Sequence, residues 1–85
     1  MKQQIIMNSF ISVDLNSITM PMITVYKNPS DFPGKFVARL FRLHKPTIIA
    51  VVKDTLPEIR MTIPRHMVRL PRHQADDPAI LETWI

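Results

Sequence analysis

Prolines stand at positions 57, 64, 71 and 78, one every seven residues through the last third of the chain. A period of seven invites a coiled-coil reading. Proline inside a helix, however, removes a hydrogen bond and clashes with the preceding turn, at a cost of about 3 kcal/mol. No continuous helix can run through this region, so the prolines punctuate short elements. The chain has eight prolines and a single glycine, Gly34.

Between these marks the pattern is mostly that of strands. Ile11 to Leu15 alternates apolar and polar side chains as a half-buried strand does. Met22 to Tyr26 is a stronger strand, crowded with β-branched and aromatic residues. Asn28 to Gly34 collects turn-forming residues and reads as a loop. Phe36 to Leu43 suits helix or strand, with strand favoured because Pro46 lies close behind and Thr47 to Val52 supplies a second β-rich run. The two runs would pair as a hairpin across His44-Lys45-Pro46. Thr55-Leu56-Pro57-Glu58 is a capping box that opens a helix over 56–63, burying Leu56, Ile59 and Ile63 and ended by Pro64. Ile80 to Ile85 reads as a terminal strand with Trp84 as a core anchor. The expectation is an α+β fold, a small mostly antiparallel β-sheet with one short α-helix. Residues 22–85 form its single domain, and residues 1–21 an N-terminal extension or an extra strand.

At 85 residues such a domain buries only about 60 to 65% of its unfolded surface, too little core for a deep catalytic cleft. With no cysteine, a disulfide framework, a thiolate zinc site and a cysteine nucleophile are excluded. The longest apolar run, Ile48 to Val52, is far short of a membrane span, and no signal-peptide core forms after Lys2. These features point to a cytoplasmic protein. The net charge of +4 is concentrated in residues 35–73, where nine basic side chains face only Asp54 and Glu58.

That segment contains one near-repeat, Ile63-Pro64-Arg65-His66 and Leu70-Pro71-Arg72-His73. An extended chain would separate the copies by about 23 Å and turn equivalent side chains to opposite faces, so the pair cannot grip one phosphate. A zinc site from His44, His66 and His73 has no common ligand spacing. A catalytic His73 oriented by Asp76 or Asp77 lacks a nucleophile. No metal, cofactor or catalytic residue is expected. The remaining chemistry is electrostatic. Arg39, Arg42, Lys45, Arg60, Arg65, Arg69 and Arg72 are candidate anion or nucleic-acid contacts, although no glycine-rich phosphate loop or stacking array accompanies them.

Across Met22 to Ile85 the chain resembles a family of small uncharacterised proteins of bacterial phages and prophages, many in Gram-positive hosts. The resemblance is carried by Asp31 to Lys35, Val37 to Leu40, Asp54 to Arg60, Ile63-Pro64, Val68 to Arg72, Asp76 to Pro78 and Glu82 to Ile85. Asp54-Thr55-Leu56-Pro57-Glu58 is also similar to the helix start of HicB-type antitoxin half-domains. The likeness implies origin rather than activity. Small size and the lack of a catalytic constellation then favour a non-enzymatic protein-binding module, with an unidentified protein as partner. The alternative is a weak electrostatic nucleic-acid binder using residues 35–73. An exposed edge strand would also allow a homodimer by sheet pairing.

Overall fold

The structure, a computed structural model, describes residues 4–72 and 77–85. Its strands are β1 (Ile5–Ile6), β2 (Pro21–Lys27), β3 (Phe36–Arg42), β4 (Lys45–Lys53), β5 (Arg69–Pro71) and β6 (Ile80–Trp84), with one helix, α1 (Leu56–Met61), between β4 and β5. They form one sheet in the order β1-β4-β3-β2-β6-β5, antiparallel except where β1 joins β4. This is the expected small, mostly antiparallel α+β fold.

Register decides which side chains share a face. Ile23 lies opposite Leu40 and Trp84, Val25 opposite Ala38 and Glu82, and Ala38 opposite Val51. Because neighbours along a strand alternate, these residues make one face, and Thr24, Tyr26, Arg39 and Ala50 make the other. The first face carries the core, where Ile23, Val25, Ala38, Leu40 and Val51 pack with Ile59 of α1 and with Phe10. Phe10 is completely inaccessible to solvent, and its N–H donates to the Thr62 carbonyl at 3.0 Å. The N-terminal segment therefore forms part of the layer covering the sheet.

Three local expectations change. Residues 11–15 do not form a strand, because the Asp14 carboxylate accepts from the Asn16 N–H at 3.1 Å and a 3₁₀ turn follows over Leu15–Ser17. That local bond supplies the backbone with an alternative to a sheet ladder. The helix ends at Met61 rather than residue 63, since Thr62 already caps it and Pro64 forbids a further turn. Its N-terminus is half a capping box. Thr55 Oγ1 accepts from the Glu58 N–H, while the Glu58 carboxylate takes a bond from Thr55 Oγ1.

The third change is the hairpin between β3 and β4. Its loop is two residues, Leu43-His44, and Lys45 and Pro46 already belong to β4. Both loop residues have positive φ, 50° and 66°. Two-residue hairpins need this backbone and usually supply it with Asn-Gly. Leucine and histidine hold it at about 1 to 2 kcal/mol each.

Both edges of the sheet are short. Val68 and Ile85 exchange backbone hydrogen bonds, so the alternation of an antiparallel ladder turns the main-chain groups of Arg69 and Pro71 away from β6. Pro71 has no donor to offer there, which blunts the edge.

Candidate functional site

Ile59 anchors α1 in the core, and the end of the helix, at Arg60 and Met61, opens onto a groove of about 650 Å³. One wall comes from the N-terminal segment, through Ile11, Val13 and Leu15; the other comes from Met61, Ile63 and Pro64. Two large apolar side chains at this groove stay in water. Ile11 is 69% exposed and Met61 79%. Arg60, Arg65 and His66 also line it, against one acid, Asp14.

Arg60 links the groove to a buried carboxylate. Glu82 comes from the core face of β6, and its side chain is only 4% exposed. Arg60 donates to it twice, from Nε at 3.2 Å and Nη2 at 2.7 Å, while the Trp84 indole N–H donates at 2.8 Å. Arg69 adds a looser contact at 3.9 Å. Burial alone would raise the Glu82 pKa, but Arg60, the indole and Arg69 outweigh it and hold the carboxyl below the ordinary glutamate range. The same pair pushes the Arg60 guanidinium up, chiefly through its hydrogen bond to Glu82. Two guanidinium groups around one carboxylate leave one positive charge over, on the side of the loosely held Arg69.

The seven candidate cations are thus dispersed. Arg39 lies on the opposite face of the sheet, bonded to Asp31 and 5.4 Å from the centre of the Tyr26 ring. The Arg39 hydrogen bond is the chief reason the Asp31 carboxyl sits below its usual range. Arg60 and Arg69 converge on Glu82, and Arg65 lines the groove. Arg42 and Lys45 flank the hairpin turn, directly opposite each other. Arg72 follows β5 on the surface. Elsewhere Lys35 pairs with Asp54. His66 lines the groove, His44 sits in the turn, and His73 and Asp76 lie outside the described residues. Among the described residues no three metal-ligating side chains cluster, and no helix is long and apolar enough to cross a membrane.

Sequence reasoning passed over Glu82 and the groove. Glu82 had a usable signal, since it lies two positions before Trp84 and strand alternation puts both on one face. The groove had none, because its walls are about fifty residues apart in the chain. Comparison with family models, with curated proteins and with solved structures finds no match to this chain.

Proposed function

We infer that this chain is a non-enzymatic protein-binding module that takes an apolar segment flanked by carboxylates into the groove between residues 11–15 and the end of α1. One observation carries the reading: Ile11 and Met61, one from each wall, hold large apolar side chains in water beside an already apolar groove. An exposed apolar patch rimmed by charge is a common mark of a protein contact. The acidic flank follows from charge complementarity, since Arg60 and Arg65 line the groove against one acid, Asp14, and among the described residues Arg65 has no carboxylate partner. Binding is favoured over turnover because His66 and Asp14 line the groove with no hydrogen bond between them among the described residues. A small phage or prophage protein acting in the cytoplasm suits a module of this kind.

Selection from a random peptide library on the whole protein tests it. Enriched peptides should carry one or two large apolar residues next to Asp or Glu, and should not bind an Ile11→Ser/Met61→Ser variant. Both side chains are exposed, so the variant should melt as the parent does. Peptides that bind parent and variant equally, or no enrichment at all, would overturn the reading.

A further inference from the structure

A second surface lies away from the groove, at the end of the sheet where β3 turns into β4. Arg42 and Lys45 are register partners across the hairpin, so their side chains leave the ribbon on the same side. Like charges placed directly opposite repel, and among the described residues neither cation has a carboxylate partner. The whole run Arg42 to Pro46 is exposed.

Strand directions collect more at this end. β2, β4 and β5 begin here, and β3 and β6 finish here. Residues next to those strand ends include Met20, 60% exposed, Leu43, 44% exposed, and Val68, 60% exposed. Acidic side chains gather at the opposite end, where Asp54 follows β4 and Asp77 precedes β6. Lys27, Lys35 and Lys53 stand at that end too, so acids and cations are mixed there, with Lys35 paired to Asp54.

We propose that the β3–β4 hairpin tip is a contact for the phosphodiester backbone of nucleic acid, with Arg42 and Lys45 each meeting a phosphate. A pair of mutually repelling cations favours a partner that presents anions spaced on a similar scale. A nucleic-acid strand offers one charge about every 3.4 Å of helix axis. The shape also fits, since the major groove admits a two-stranded β-ribbon. Arg39, Arg60 and Arg69 are left out of this contact, because Arg39 pairs with Asp31 and the other two converge on Glu82.

The test is a salt series of binding to a labelled random-sequence DNA duplex, read by fluorescence anisotropy on the whole protein. Three proteins are compared: the parent, Arg42→Gln/Lys45→Gln, and Lys27→Gln, whose lost charge lies at the opposite end of the sheet. The parent should bind at low salt with an affinity that falls linearly on logarithmic axes. The double variant should bind about tenfold or more weakly, with a slope smaller by about two. Lys27→Gln should keep the parent's slope. A melting temperature no lower than the parent's will show that the double variant is folded, as two exposed positions lead one to expect. Absence of salt-dependent binding would overturn the proposal, as would equal weakening by Lys27→Gln, which would make net charge the cause. Poly-glutamate competing as well as nucleic acid, at equal charge, would also overturn it, because the tip would then read acidity rather than phosphate.

Discussion

Around Glu82, Arg60 and Arg69 converge on a carboxylate that is almost wholly buried; at the β3–β4 turn, Arg42 and Lys45 face each other with no carboxylate between them. Both pairs belong to the same basic stretch of sequence. In the first, charge closes a structure, and no buried side-chain polar atom among the described residues lacks a hydrogen-bond partner. In the second, charge and backbone are both held against their local preference, since the turn also places Leu43 and His44 at positive φ. The count of basic residues does not distinguish the two regions. The location of the nearest acid does.

The covered side should be the costly one to disturb. Phe10→Ala leaves a void under the sheet and should cost about 3 to 5 kcal/mol, a loss visible as a large drop in the chemical-denaturation midpoint. If the midpoint hardly moves, the N-terminal segment is not a working part of the core. Glu82→Ala comes next. It strands Arg60 and the indole N–H, and because Arg60 is already 40% exposed and rehydrates in part, about 2 to 3 kcal/mol is expected rather than the full cost of breaking a buried pair.

Acid should act through the same carboxylate. The folded-state pKa of Glu82 lies below its unfolded value, so its stabilisation is complete above the unfolded pKa of about 4.3 and is lost as pH falls through the lower folded value. Between pH 5 and pH 3, taken as a rough window from that reference value, the melting temperature of the parent should fall more steeply than that of Glu82→Gln. Equal slopes would show that the exposed pairs at Asp31 and Asp54 carry the acid limb instead.

At the hairpin end the signs reverse. Leu43→Asn/His44→Gly supplies the residues that a two-residue turn prefers and should raise stability by about 1 to 2 kcal/mol. Arg42→Gln/Lys45→Gln relieves the opposed charges and should gain no more than about 0.2 to 1 kcal/mol. A loss in either variant, measured by denaturant melts, would remove the contrast between the two regions.

The architecture was legible from local pattern. The β-branched run at 22–26, the turn residues at 28–34 and the threonine cap at 55 all state their structure within a few residues of themselves. Residues 11–15 were misleading because their alternation is a strand's, while the Asp14 side chain hydrogen-bonds the backbone into a 3₁₀ turn. The hairpin loop was placed too late because Pro46 reads as a loop residue, yet it pairs with Phe41 inside the ladder. The candidate cations were correct as a charge inventory and silent as a site. Seven basic residues in one stretch divide between two faces of a sheet, a groove and a turn, and only the pairing of strands decides which goes where.

The position of β6 has a consequence for the order of events during synthesis. It is the last strand along the described chain, yet in space it stands between β2 and β5. The β2–β3–β4 meander and α1 can form from neighbouring sequence as they leave the ribosome, but β2 keeps one side open until residues 80–84 appear. During that interval the unpaired flank of β2 is a template for any extended chain nearby. A nascent copy on an adjacent ribosome is such a chain, and crowding on a polysome is therefore the circumstance in which this small sheet is most exposed to mispairing.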